Sequence, residues 1–237
     1  MCDTCGCSDH TGVRITDDTR TVVLEQDILA KNDQLAEHNR GHLRAQDVFA
    51  VNLMSSPGAG KTTLVERTIS GVDLPFAVVE GDQETLLDAE RIKATGAPVV
   101  QINTGAGCHL DASMLHRALH ELSPARGSVL FVENVGNLVC PALFDLGEAA
   151  RVVILSVTEG PGKPLKYPHM FSATDLVLLN KIDLLPYVDF DVEEFARDTY
   201  RVNPEARILQ ISATRGDGLE AWYSWLRTHS ALPMPGT

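Results

Sequence analysis

From position 48 onward, apolar residues arrive in short, nearly unbroken runs, at 48–54, 76–80, 99–102, 129–133, 152–157, 176–180 and 208–211. The runs are rich in β-branched residues and alternate little, the pattern of strands covered on both faces. Between several of them the apolar positions fall at helical spacing: 61–69, 84–95 (stopped by Gly96), 112–122, 192–200 and 219–228. Strand and helix in alternation predict an α/β domain over 48–237, a mostly parallel sheet flanked by helices. Such sheets bind ligands at the carboxyl ends of their strands, and the polar motifs of this chain fall at those ends. Upstream, Val22, Val23, Ile28, Leu29, Leu35 and Leu43 recur loosely at helical spacing. They predict an N-terminal helical segment over 18–47, one or two helices with a break near Gly41. Residues 1–17 are short of apolar side chains and read as a flexible tail.

Composition changes this picture only at the edges. A length of 237 residues suits one domain with a short appendage, and 44% hydrophobic with 22% charged residues is ordinary for a globular protein. The formal net charge of −12 argues against nucleic acid, whose phosphates are held by clustered Lys and Arg. No apolar run approaches the roughly 20 residues of a membrane-spanning helix. The opening Met1-Cys2-Asp3-Thr4-Cys5 is too polar for a signal peptide, so a cytoplasmic protein with reduced thiols is expected. Five cysteines, three of them within the first seven residues, do not form a disulfide framework and point to metal.

Ser55-Ser56-Pro57-Gly58-Ala59-Gly60-Lys61-Thr62-Thr63 follows the first strand and opens a helix, the context a phosphate-binding loop requires. Gly58 and Gly60 let the backbone around Ala59 turn its N–H groups inward, and the helix N-terminus adds partial positive charge. Lys61 is expected to reach the β- and γ-phosphates, with Thr62 on Mg²⁺. Ser55 stands where the G-x-x-x-x-G-K-S/T pattern has its first glycine. Asn180-Lys181-Ile182-Asp183 follows the strand 176–180 and resembles the N-K-x-D motif of GTPases. The Asp183 carboxylate can accept from both guanine N1–H and the exocyclic amine, a donor pair adenine lacks. Ser212-Ala213-Thr214 resembles the S-A-K/L/T loop that contacts the guanine oxygen. GTP and GDP are therefore the expected nucleotides.

Glu133-Asn134-Val135-Gly136 closes the strand 129–133 and resembles the D-x-x-G switch motif with Glu for Asp. An acid here can hold the Mg²⁺ water shell. Asp82, ending the second strand, is a second candidate for that shell, or else the N-cap of the helix at 84–95. No arginine finger or catalytic glutamine is evident, so slow hydrolysis is expected, on the order of 10⁻⁴–10⁻² s⁻¹.

Two metal sites suggest themselves. Cys2, Cys5 and Cys7 can wrap one soft ion without a folded scaffold, and trimming of Met1 would free an amine as fourth ligand. Such an S₃N set can lie in a plane, which suits Ni²⁺ better than Zn²⁺. Cys108-His109, after the third strand, and Cys140, just past the switch motif, both fall at the nucleotide edge of the sheet. Alone, each is more often a packing residue. Together they place a metal where a γ-phosphate could be sensed.

The combination resembles the hydrogenase nickel-incorporation GTPase family (HypB type) over nearly the whole chain. The matching pieces are C-x-x-C-G-C, S-S-P-G-A-G-K-T-T, E-G-D, the run at 105–112, E-N-V-G-N-L-V-C-P and N-K-x-D. The resemblance implies a tight nickel site at Cys2, Cys5 and Cys7. It also implies a weaker nickel or zinc site at Cys108, His109 and Cys140, near the interface of a GTP-promoted homodimer. The implied partners are other hydrogenase maturation proteins and the hydrogenase large subunit. The chain departs from the family in lacking a histidine-rich stretch after the cysteines, where only His10 stands, so bulk nickel storage is not expected. Some members carry an extra His a helical turn past Cys-His; here Ser113 lies in that helix and His116 follows, which leaves the ligand set open. Rival readings are another nickel or cobalt maturation GTPase, such as the urease type without the terminal cysteines, and a regulatory switch with incidental thiols. A passive metal binder is opposed by Lys61, Thr62 and Asp183.

Overall fold

The computed structural model describes residues 19–82, 87–105 and 107–231, with side chains from residue 28 onward. Seven strands form one sheet: β1 (Phe49–Ser55), β2 (Phe76–Asp82), β3 (Val99–Asn103), β4 (Val129–Glu133), β5 (Ala150–Ser156), β6 (Leu176–Asn180) and β7 (Arg207–Gln210). Their order is β3-β2-β4-β1-β5-β6-β7, and every neighbouring pair is parallel. The strands β1, β4 and β6 are buried along their whole length. β2 runs two residues further than its apolar run because it stays in register with β3 as far as Asp82 opposite Asn103.

The pleat sends alternate residues to opposite faces. Val51 and Leu53 join a core with α2 (Lys61–Gly71), α3 (Leu87–Ala94) and α8 (Leu219–Ser230), where Trp222 and Trp225 stack at 5.4 Å between centroids. Ala50 and Val79 face the other way, onto α1 (Thr19–Ala45) and α4 (Ala112–Leu122). Val153 and Leu155 pack beneath α6 (Pro168–Ser172) and the longer α7 (Val192–Val202), both of which the short α5 (Lys163–Lys166) adjoins.

The expected break at Gly41 does not occur: α1 is one helix of 27 residues. A glycine inside a helix costs about 0.5–1 kcal/mol, too little to end it when flanking turns are anchored. Here they are. Asn39 donates to the carbonyls of Ala112 (2.9 Å) and Leu146 (3.1 Å), and Arg40 grips both carboxylate oxygens of Asp145 (2.8 and 2.7 Å). Two turns earlier Asn32 donates to the Asp145 carbonyl and accepts from the Ala112 N–H. The loop at Gly147 comes so close that a β-carbon there would lie 2.3 Å from the Ala36 carbonyl oxygen. Among the described residues no helix is long and apolar enough to cross a membrane.

Candidate nucleotide site and metal centre

The loop after β1 turns on two residues with left-handed backbone, Gly58 (φ 73°) and Gly60 (φ 101°). A side chain at Gly60 would be strained and would meet the Asn180 amide at 2.5 Å. Asn180 is thereby part of the loop's support. Its amide nitrogen donates to the Ala59 carbonyl (2.8 Å) and its oxygen accepts from the Ala213 N–H (3.0 Å). Lys181 donates to the Gly58 carbonyl at 2.8 Å. The three expected motifs thus meet in space: phosphate loop, N-K-x-D, and the Ser212-Ala213 turn.

Ser55, in the place of the missing glycine, is the last residue of β1, and its hydroxyl accepts from the Lys61 ammonium (2.9 Å). Thr62 donates to a Glu133 carboxylate oxygen (2.7 Å). Asp183 is mostly buried and accepts from the Ser212 hydroxyl (2.6 Å), with the Arg215 guanidinium 4.0 Å away. A groove of about 310 Å³ runs from Gly60, Lys61 and Thr62 to Asn180, Lys181 and Thr214. A second of about 250 Å³ adjoins it, walled by Lys61, Glu80, Asp82, Glu133 and Gly136.

Sequence reasoning weighed Asp82 and passed over Glu80. The register sets Glu80 directly opposite Glu133 across β2 and β4, and both side chains are almost fully buried. Each leaves one carboxylate oxygen without a hydrogen-bond partner. Burial, then the neighbouring charges of Glu133 and Asp82, push the Glu80 pKa up to about 8. Burial likewise raises that of Glu133, against the opposing pull of Lys61 and Thr62. A charged residue closing an apolar strand at the sheet's carboxyl edge was the available signal. Residues 83–86 lie outside the described residues, which leaves the N-cap alternative for Asp82 untested; Asp82 lines the second cavity. Arg91, also passed over, lines the groove and donates to Thr63 (3.1 Å), Glu66 and Asp88.

The second expected metal cluster assembles. The ligand atoms of Cys108, His109 and Cys140 all lie within 4.8 Å of one another, with the Cys108 sulfur 3.7 Å from His109 Nδ1. The His109 ring stacks on Phe144 at 4.0 Å, and burial lowers its pKa, favouring the neutral ring that ligates metals. Burial and the adjacent Cys108 raise the Cys140 pKa; a bound cation would reverse that by compensating two thiolates. Cys2, Cys5 and Cys7 lie outside the described residues.

Two amides that sequence reasoning did not single out join the centres. Asn134 accepts from the Leu110 N–H, one residue past His109, and donates to Asn52. Asn137 donates to the Cys108 carbonyl. Gly136 lies against Pro57 of the phosphate loop, where a β-carbon would come within 3.0 Å of backbone atoms.

The strand–loop–helix with its guanine-type motifs on an all-parallel sheet defines a P-loop nucleotide-binding protein. Residues 49–210 match the family described as CobW/HypB/UreG, nucleotide-binding domain. The hydrogenase maturation factor HypB of Azotobacter chroococcum is 58% identical over 210 residues, 88% of this chain and 69% of the relative. The crystal structure of HypB from Helicobacter pylori in complex with nickel aligns with a TM-score of 0.81 at 38% identity, over 87% of this chain and 98% of that one. HypB from Archaeoglobus fulgidus aligns at 0.80 and 42%, over 85% and 100%. The chain belongs to the HypB family of hydrogenase maturation factors.

Proposed function

We propose that the chain is a slow GTPase that carries nickel and supports its insertion into nickel–iron hydrogenase. The observation that carries this reading is the segment from Glu133 to Cys140. It touches Thr62 and the phosphate loop at one end and bears a candidate metal ligand at the other.

In this reading the loop 58–63 and Lys61 hold the β- and γ-phosphates through backbone N–H groups and one ammonium. Asp183 selects guanine, with Ala213 and the Asn180 clamp shaping the base end. Thr62, Glu133 and either Glu80 or Asp82 would hold Mg²⁺ as a hard-oxygen set, and the partnerless oxygens of Glu80 and Glu133 suit such a cation. When bound, Mg²⁺ would neutralise charge on the phosphate oxygens. Water replaces the bridging oxygen at the γ-phosphorus, giving GDP and phosphate. The guanidinium of Arg91 is occupied by Glu66 and Asp88, so it does not supply a free arginine finger, consistent with the slow rate.

Cys108, His109 and Cys140 form the nucleotide-responsive site for nickel or zinc, while Cys2, Cys5 and Cys7 form a separate nickel site. Val139 and Leu143, about half exposed on either side of Cys140, fit a face buried in a GTP-promoted homodimer. The setting is cytoplasmic, and the recipients are hydrogenase maturation partners and the large subunit. The test is equilibrium nickel titration of the full chain and of a chain lacking residues 1–9, each with and without GTP. Two nickel phases are expected, the tighter vanishing with the tail. Lys61→Ala should abolish GTP turnover and leave the tight phase intact. A single phase indifferent to both changes would refute this reading.

A further inference from the structure

The groove between α1 and α4 carries four histidines that neither the nucleotide site nor the thiolate cluster uses. His38 and His42 are spaced four apart on α1, and His116 and His120 four apart on α4, so each pair shares a helix face. The rings meet across the seam: His38 and His116 with centroids 5.2 Å apart, His42 and His120 at 6.2 Å, His116 and His120 at 4.6 Å. The Nε2 atoms of His116 and His120 are 3.2 Å apart. His38 and His120 are exposed and the other two half-buried, so the seam is open to solvent.

The seam has a built support. His116 Nδ1 lies 3.1 Å from the side-chain oxygen of Asn39. Asn39 is completely buried, and its amide nitrogen is committed to the carbonyls of Ala112 and Leu146. That fixes the amide orientation, so the oxygen can only accept and His116 Nδ1 must carry the hydrogen. In the neutral ring Nε2 is then a bare lone pair facing His120. An outer partner that fixes the tautomer and aims the free nitrogen is the arrangement metal-binding histidines use. On α1, His42 Nε2 accepts from the Gln46 amide nitrogen at 3.2 Å, so its lone pair is already engaged and His38 is the ring on α1 left to turn towards the pair.

Two imidazole nitrogens bound side by side to one ion at about 2.1 Å stand roughly 2.9–3.4 Å apart, with ring centroids roughly 4.5–5.2 Å apart. The His116–His120 pair meets both conditions; His38 lies at a similar centroid spacing from His116, but its nitrogens are not yet grouped with those of the pair, so its ring would have to turn inward to join them. We propose that the α1–α4 seam is an imidazole site for a borderline first-row divalent cation, Ni²⁺ or Zn²⁺, held by His116 and His120, with His38 turning in from α1 as the third ligand. Neutral imidazoles suit these ions, whereas Mg²⁺ prefers oxygen. The site shares no residue with the thiolate cluster. A bound ion would cross-link α1 to the nucleotide-binding domain and stabilise the fold by mass action. Asn39 acts here as a positioning residue.

The test separates this site from the thiolates. In the full chain carrying serine at Cys2, Cys5, Cys7, Cys108 and Cys140, Ni²⁺ or Zn²⁺ is titrated against a chromophoric chelator. One equivalent should bind, with a rise in unfolding temperature, and His116→Gln with His120→Gln should weaken it at least tenfold. In the chain with its cysteines intact, His120→Gln and His38→Gln, both at exposed positions, should together lower bound zinc by one equivalent without changing GTP binding. That second measurement decides the matter if the serine variant does not fold. Absence of a bound ion in the folded serine variant, or stoichiometry unchanged by the histidine substitutions, would overturn the proposal and leave the seam a polar helix contact only.

Discussion

At the scale of single residues, two carboxylates carry the sharpest consequences. Asp183 sits with one oxygen on Ser212 and the other towards Arg215. Replacing it by Asn exchanges one acceptor for a donor. Asp183→Asn should weaken GTP by about 1.5–3 kcal/mol and favour xanthine nucleotides, whose C2 oxygen accepts a hydrogen bond. Competitive binding of GTP and XTP checks this, and undiminished GTP affinity would remove Asp183 from the base site. Glu80 offers a pH signature. Its folded pKa of about 8 lies above the model-compound value of 4.5. Its contribution to stability is therefore fully present below pH 4.5 and is lost as pH rises through about 8. Without nucleotide, Glu80→Gln should flatten this loss and leave the protein about 1–3 kcal/mol more stable at pH 8. The same substitution should weaken binding of a non-hydrolysable GTP analogue with Mg²⁺, because the carboxylate that a cation would compensate is gone. Urea unfolding across pH 4.5–8.5, with and without the analogue, reads both signs; a parent profile flat over this window would show that Glu80 titrates normally.

At the scale of elements, the five inner strands were legible because they are buried on both faces, and most helices because their apolar positions keep helical spacing and their ends carry turn residues. β4, β6 and the helix Ala112–Leu122 fall where the apolar runs place them. The nucleotide motifs were legible for a related reason: each is local in sequence and follows its own strand. What stayed hidden depends on partners distant in the chain. The run through Gly41 predicts a break if α1 is considered alone, but Asn39 and Arg40 are anchored by residues more than seventy positions away, at Ala112, Asp145 and Leu146. The facing of Glu80 and Glu133, and the seam of four histidines, likewise come from strand register and helix docking. α1 can be tested in both directions. A β-carbon at Gly41 meets nothing within 4 Å, so Gly41→Ala should stabilise the chain by about 0.5–1 kcal/mol. Asn39→Ala removes a buried donor shared by the Ala112 and Leu146 carbonyls and the acceptor of His116 Nδ1, and should cost about 1–3 kcal/mol. Chemical denaturation of both variants measures the pair; a destabilised Gly41→Ala would mean that the helix is broken there after all.

At the scale of the whole molecule, the question is whether the nucleotide groove and the thiolate cluster act as one device. The connection is short and polar. Glu133 binds Thr62, Asn134 holds the backbone next to His109, Gly136 presses on the phosphate loop, and Asn137 holds the backbone of Cys108. Cys140 follows three residues later. A γ-phosphate that draws Gly136 towards the groove would pull on this segment from one side, while Cys108 and His109 stay tied to the end of β3 and the start of α4. The sulfur–sulfur–nitrogen geometry would then differ between the GTP and GDP states, and with it the metal affinity. Reciprocity requires the metal to shift nucleotide affinity by the same factor, which for couplings of this kind is about 5–150-fold. The measurement uses a chain lacking residues 1–9, so that the terminal cysteines do not report. Nickel affinity is determined with GDP and with a non-hydrolysable GTP analogue, and nucleotide affinity with and without nickel. Cys140→Ala should abolish both differences by removing a ligand. Asn137→Ala should shrink them while retaining nickel binding, since it cuts a link and spares the three ligand atoms. Equal nickel affinities in the two nucleotide states of the parent would leave the groove and the cluster uncoupled, and metal release would then have to be driven by the recipient protein alone.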